Sequence, residues 1–415
     1  MERSQERRER LHRLIDLARA SRGWSRARLA RALHRDPTKL YPESGNPKLD
    51  FLMNLADVLE WSVGDVADAV WGKGMAELIA AEPKDRTFIQ VDDEALAAYD
   101  HGQHERMAEL AREMYAIARD ADGRALACIR EAGAWDGLGR YPKALDAIQR
   151  GLNETGISVR YRLILQANLA NAQYTLWQLT PALGTAQVLA DWYASNPADE
   201  TESEKRLAFV QYVRGNIRRR LMAIEPESAP QHCGAGMADL TAAQATYERL
   251  AAELDDQTLG GIANTCRGGL LELRVENGDL AASEAVDTII SGLDAVVNIE
   301  EMGSGDWLES YGWWSIFGSN IALRHLEGRR LQQSLAILTN KALEIADRLD
   351  NWALRERVFT MQYALHQRMV DSTGFDLPFT IDDEDRTLIA GAMGRFPSFR
   401  SIGWQILETA RVVES

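Results

Sequence analysis

The stretch WSRARLARALHRDPTKLYPESGNPKLDFLMNLADVLEWSVGDV, residues 24–66, decides how the chain is read. Ser25 is placed as an N-cap, and Leu29, Ala30 and Leu33 then share one apolar face, which predicts a helix over about 25–33. Asp36 before Pro37 repeats the signal, because Asp caps well and proline's missing N–H is harmless at the first helical position. A second short helix is expected there. After the turn-rich PESGNP, Leu49, Leu52, Leu55, Ala56 and Leu59 recur at helical spacing, and Ser62 with Asp65 makes a capping-box start for one more helix. Small helices at this density predict a helix-turn-helix module.

Upstream of this stretch, residues 5–21 read as an amphipathic helix. Leu11, Leu14, Ile15 and Ala18 form one face, and Arg7, Arg8, Arg10, Arg13 and Arg19 spread around the rest. The charge is uneven along the chain. Residues 1–50 hold 13 Lys/Arg against 7 Asp/Glu, a net of +6, while residues 51–415 hold 34 against 55, a net of −21. A basic head on an acidic body can meet phosphates at one end only; the alternative is an ordinary solvated Arg-rich helix.

A chain of 415 residues is too long for one compact core, so several domains or a repeat array are expected. A hydrophobic content of 46% excludes wholesale disorder. No run of about 18 apolar residues occurs and the opening MERSQERRER has no apolar segment, so neither a membrane span nor a signal peptide is read and a cytoplasmic location is expected. Cys128, Cys233 and Cys266 are odd in number and far apart, which argues against a disulfide framework and against paired metal ligands.

Residues 11–66 resemble the Cro/repressor-type (Xre) helix-turn-helix family. The likeness is carried by Gly23-Trp24-Ser25, by Leu29-Ala30, and by Pro47-x-Leu49-x-x-Leu52-x-x-Leu55-Ala56-x-x-Leu59-x-x-Ser62-Val63-x-Asp65-Val66. It implies double-stranded DNA as a partner, with candidate contacts at Arg26 and at Thr38, Lys39 and Tyr41, and with Arg28 and Arg35 as candidate phosphate partners. The reading segment departs from the family pattern. His34-Arg35 stand where a small residue is usual, and Pro42 interrupts the third helix, which is therefore expected to be short. The alternative is a degenerate module kept for packing or dimerisation.

Residues 73–92 contain Gly74 and Pro83 and change composition as a linker does; one more helix over 75–81 is the alternative. Beyond it the chain repeats. LGRYPKALDAIQRGL, residues 138–152, resembles the second half of a tetratricopeptide repeat, with Gly139 at the inter-helix turn, Tyr141 two later and Ala144 at the close-packed small position. Gly102 stands 37 residues earlier and Trp177 38 residues later in the equivalent place. Further helical pairs are read at 204–222 with 237–254, at 258–276 with 280–297 and at 307–327 with 330–349, with residues 226–236 as a loop. A last helical pair at 352–371, an acidic loop at 376–386 and helices near 385–395 and 400–412 complete the chain. An all-α protein follows: a helix-turn-helix domain over 1–72, a linker over 73–92, tetratricopeptide-like repeats over 93–371 forming six or so pairs in a right-handed superhelix, and capping helices over 372–415.

Such an array presents the first helix of each pair along a concave groove suited to an extended peptide. Asparagine recurs on those helices at Asn168, Asn171, Asn216, Asn264 and Asn320. Asn is a poor helix former, and its amide satisfies both N–H and C=O of a bound backbone, so these are candidate peptide-binding residues; the alternative is that they cap turns, face solvent or pair with each other. Arg214 and Arg218, one turn apart, are candidates for a peptide carboxylate, or else part of a solvated face, while Arg219 and Arg220 point elsewhere. Trp307, Tyr311 and Trp314 share a helical face, as a hydrophobic anchor or as core between repeats. The histidines are scattered and no phosphate loop, HExxH or nucleophile elbow occurs, so no enzyme, no cofactor and no metal is expected. The combination resembles the peptide-sensing transcription regulators, which implies a homodimer whose DNA binding is modulated by a peptide or protein ligand. The second reading is an interaction scaffold in which the head serves only for dimerisation.

Overall fold

The computed structural model describes residues 2–59, 61, 63–71, 86–303, 305–374 and 378–413. The chain is all-α in architecture and divides into two compact units, Met1–Arg86 and Thr87–Ser415.

In the first unit α1 (Glu2–Arg22), α2 (Arg26–Ala32), α3 (Leu49–Leu59) and α4 (Val63–Trp71) enclose a small core. The apolar positions picked out by helical spacing meet there: Leu11, Leu14, Ile15 and Ala18 of α1, Leu29 and Ala30 of α2, and Leu52, Leu55 and Ala56 of α3 are all buried. The Ser25 hydroxyl accepts from the Arg28 amide at 3.3 Å, as an N-cap does. Between α2 and α3 the expected third helix is a single 3-10 turn, Pro37–Lys39. Asp36 caps it, and Leu40 leaves it directly into the core, so the chain turns inward before a second turn can form. The capping box at Ser62 and Asp65, the centre of the linker at 72–85 and the alternative helix at 75–81 lie outside the described residues.

The second unit is a stack of helix pairs: α5 (Phe88–Asp100) with α6 (His104–Ile117), α7 (Ala121–Gly137) with α8 (Tyr141–Leu152), α9 (Val159–Thr175) with α10 (Leu179–Ser195), α11 (Thr201–Ile224) with α12 (Ala229–Leu254), α13 (Gln257–Glu276) with α14 (Ala282–Gly292), and α15 (Asp306–His325) with α16 (Gly328–Leu349). The first helix of each pair packs on the first helix of the next, and α17 (Trp352–Thr373), one unbroken helix where a pair is expected, continues that row.

The repeat spacing seen in the sequence is a backbone conformation. Gly102, Gly139 and Trp177 adopt φ of 67°, 65° and 62°. At each one the next amide reaches back five residues, Gln103 to Ala98 at 2.8 Å, Arg140 to Trp135 at 2.7 Å and Gln178 to Gln173 at 2.8 Å. These are Schellman turns, which satisfy the last carbonyls of the first helix and set the angle of the second. Trp177 fills a position that glycine occupies in the other two, at a strain of about 1 kcal/mol.

Two expectations are corrected. Residues 226–236 are not a loop: after a 3-10 turn at Pro226–Ser228, α12 begins at Ala229 and takes in His232, Cys233 and Gly236. Gly236 lies against α11, since a Cβ there would be 3.4 Å from the Gly215 carbonyl oxygen. The C-terminal segment is not purely helical either. After α17, β1 (Phe379–Ile381), α18 (Asp383–Arg395), α19 (Arg400–Thr409) and β2 (Ala410–Val412) follow, and the two strands pair in parallel, Phe379 opposite Ala410.

These last elements pack back on the early repeats. Tyr141 and Leu176 share a core with Phe359, Ile389, Phe396 and Phe399, and the Tyr141 and Phe396 rings lie 5.1 Å apart. Trp352 fits against the turn of the second pair so closely that a Cβ on Gly139 would lie 2.6 Å from its Cδ1, whereas nothing lies within 4 Å of one on Gly102. Gly102→Ala is therefore expected to lower stability by about 1 kcal/mol, the strain of a left-handed residue alone. Gly139→Ala adds overpacking against Trp352 and should cost about 2–4 kcal/mol, read by guanidinium denaturation. Equal losses would mean that Trp352 yields freely.

Candidate functional site

Each unit carries candidate residues. In the first, they divide between bracing and presentation. Arg26 donates from Nε to the Pro37 carbonyl at 2.8 Å and from Nη2 to that of Thr38 at 3.5 Å, and its guanidinium lies 5.4 Å from the Tyr41 ring centroid. Tyr41 in turn donates its hydroxyl to Asp16 of α1 at 2.6 Å; burial, then this bond, raises its pKa. The Thr38 amide and hydroxyl both donate to the capping Asp36 carboxylate, at 2.7 and 2.5 Å, and that pairing holds Asp36 below the usual carboxylate range. Arg26 and Tyr41 thus tie the one-turn segment to α2 and α1, while Thr38 bonds within it. Sequence reasoning cast them as contacts; their polar atoms are engaged within the unit.

Arg28, Arg35 and Lys39 are presented. Arg28 stacks over Trp24 at 4.8 Å and Arg35 over Phe51 at 4.9 Å, which holds each guanidinium plane while leaving its N–H donors without a carboxylate. With exposed Lys39 and Arg31 they make a positive surface, and none of the four forms an ion pair among the described residues. The bulky His34 sits at φ 52°, in the left-handed turn where a small residue was expected.

In the second unit, the first three pairs enclose a groove of about 280 Å³ between α5, α7 and α9. Asn168 and Asn171 line it one helical turn apart, both partly accessible, and neither side chain has a hydrogen-bond partner among the described residues. The other candidates lie elsewhere. Asn216 is buried, donating to the Tyr212 carbonyl at 3.0 Å and accepting from Arg219 Nε at 3.3 Å. Asn264 is buried too and donates to Ser310 Oγ at 2.8 Å. Asn320 donates to Glu272 at 3.2 Å. Arg214 grips Asp239 with two bonds, at 2.8 and 2.5 Å, and reaches Gln187 at 3.2 Å, while Arg218 shares the same two partners. Asp239 and Gln187 belong to α12 and α10, second helices of their pairs, so these arginines face away from the row of first helices. Of the aromatic trio, Tyr311 and Trp314 are core, and Trp314 donates to the Asn264 carbonyl at 2.6 Å.

Two groups of residues escaped the sequence reading. One is acidic. Asp136 sits at the exposed C-terminal end of α7, in the wall of the groove. Glu309 of α15 accepts from Trp313 at 2.9 Å and Asn351 at 3.0 Å; burial first, then Asp306 and Asp136, push it up to about 7.

The other is a buried charge network. Arg219 and Glu272, 2% and 0% exposed at the side chain, pair at 2.6 Å, and Arg324 and Asn320 complete the coordination of Glu272. Beside them Arg220 stacks on Tyr174 at 3.8 Å and on Trp177 at 4.5 Å, Arg357 covers Trp177 at 3.8 Å, and Arg357 pairs with Glu356. Burial, then Arg357, lower the Arg220 pKa to about 9. The signal available was that Arg219-Arg220 are followed by Leu221 and Met222 and lie within a turn of Ile217, all of them buried.

No family model and no curated protein matches this chain. The crystal structure of Bacillus thuringiensis PlcR in complex with the peptide PapR7 and DNA aligns over 70% of this chain and 99% of that one, at 16% identity and a TM-score of 0.35, too low an overlap to carry a conclusion. Among the described residues no helix is long and apolar enough to cross a membrane and no group of side chains is arranged to hold a metal.

The charge network sets one expectation for stability. Burial alone would raise the Glu272 pKa, but Arg219, Arg324 and Asn320 together hold it below the usual range. A depressed folded value contributes stability that is complete above the unfolded value, about 4.3, and is lost as the pH falls through the folded one. Glu272→Gln is expected to cost about 3–5 kcal/mol at neutral pH, since it leaves buried Arg219 without its counter-charge, and to flatten the acid limb of a denaturation–pH profile.

Proposed function

We propose that this chain is a DNA-binding transcription regulator whose helical-repeat unit binds a peptide in the groove between α5, α7 and α9, and that the bound ligand modulates the hold of the head on DNA. The observation that carries the reading is the pair Asn168 and Asn171: two amides one turn apart, unpartnered, in the wall of an open groove on the inner row of a helical solenoid. Asn is unfavourable in a helix interior, and one that makes no bond within the fold is well placed to meet the N–H and C=O of an extended chain. The head supports the other half. Arg28, Arg31, Arg35 and Lys39 offer unpaired positive charge beside a braced turn, suited to phosphate oxygens. In this reading the protein is a cytoplasmic homodimer whose two heads meet two half-sites. A ligand shifts DNA binding only if it has different affinities for the DNA-competent and incompetent arrangements.

One observation favours the scaffold reading, with a head that serves only to dimerise. The segment that would read bases is a single 3-10 turn, and Arg26, Thr38 and Tyr41 are engaged internally. The two readings differ in salt response. With a fluorescent duplex from the flank of its own gene, the regulator should lose affinity steeply between about 50 and 200 mM salt, and Arg28→Ala with Lys39→Ala should reduce the slope of log K against log salt by about 2. Binding that ignores salt or the double substitution sinks the regulator reading. Asn168→Ala with Asn171→Ala should leave the DNA affinity of the free protein unchanged while abolishing its response to a pool of heptapeptides.

A further inference from the structure

Only one charge in the wall of the groove is left without a counter-ion. Of its two charged residues, Arg130 is neutralised by Asp92, which it grips with Nε at 2.7 Å and Nη2 at 3.3 Å. Asp136 has neither an ion pair nor a hydrogen bond at its side chain among the described residues. The groups within its electrostatic reach do not compensate it. Tyr99, which lines the groove from α5, feels Asp306, Asp136 and Glu309 together, and all three raise its pKa after burial does. His104 of α6, whose ring lies 5.8 Å from that of Tyr99, is held toward its neutral form by burial. A carboxylate without a counter-ion beside an aromatic ring makes a site that attracts a cation and repels an anion. The floor beside it is apolar, formed by Leu96, Met107, Ile129 and Ile148.

From this arrangement, and resting on the peptide reading above, we infer that the groove selects a ligand segment bearing a cationic side chain, seated on the Asp136 carboxylate beside the Tyr99 ring, with an adjacent apolar side chain on the floor and the backbone between them on Asn168 and Asn171. Asn168 and Asn171 read backbone and so accept any sequence, whereas Asp136 and the floor read side chains. Selectivity therefore resides in Asp136, and affinity for an extended chain resides in the asparagine pair.

The test is a selection from a displayed library of random heptapeptides, blocked at both ends so that charge comes from side chains alone. Peptides enriched on the full-length chain should carry Lys or Arg next to an apolar residue. Individual winners should bind Asp136→Asn about tenfold more weakly than the parent. Asp136→Lys should turn the preference toward Asp and Glu. Asp136 lies at an exposed helix end, so these variants should keep the parent's melting temperature, which is measured alongside. Winners with no cationic bias, or a bias that Asp136→Asn leaves in place, overturn this inference and leave the groove reading standing. Absence of winners, or winners that bind the Asn168→Ala, Asn171→Ala double variant as well as the parent, overturns the groove reading and the inference with it.

Discussion

The second unit depends on how the indole of Trp177 is held. One face receives the Arg220 guanidinium of α11 and the Arg357 guanidinium of α17 stacks on it as well, while Arg220 also donates to the Tyr174 carbonyl at 3.1 Å. A turn of the third pair, a helix of the fourth and the last long helix are thereby joined at one ring. Guanidinium is the cation suited to this, being planar, weakly hydrated and able to stack while its edges still donate. The turn itself is strained by a residue that is not glycine, and the stacking offsets that strain: a cation–π contact away from water is worth about 2 kcal/mol against about 1 for the backbone. A glycine in the same place would relax the backbone but remove the ring that joins them, leaving Arg220 to Tyr174 and Arg357 to Glu356.

The same chemistry recurs in the head with the opposite outcome. Arg26, Arg28 and Arg35 each lie over an aromatic ring, but there the surroundings are open to water. Stacking at the surface orients a guanidinium without neutralising it. The positive field of the head is thus delivered from fixed planes rather than from freely rotating chains, and less rotamer entropy is lost when a partner is met.

What the sequence made legible were features governed by neighbours along the chain. Helical spacing located the core face of α1, the capping of Ser25 located α2, and the equivalence of positions 102, 139 and 177 rested on a turn whose hydrogen bonds span six residues. What it left obscure depends on partners far away. Asn216 and Asn264 lie within first helices of their pairs as Asn168 and Asn171 do, yet the first two face Arg219 and Ser310 and the second two face the groove. Gly236 reads as a loop former, because its contact with α11 leaves no local trace. Asp136 gave no signal at all: its lack of a counter-ion is a property of the whole groove.

The fit of Trp352 into the turn at Gly139 has a consequence for how such a chain changes over generations. Open helical arrays grow and shrink by duplication or loss of a repeat, because each repeat touches only its neighbours. Here the last long helix and the elements after it pack on the second and third pairs, across all the pairs between. Insertion or deletion of one pair would rotate the late helices away from Gly139, Tyr141 and Trp177 together. The number of pairs is therefore locked by geometry, and variation in this protein must proceed by substitution inside a fixed frame.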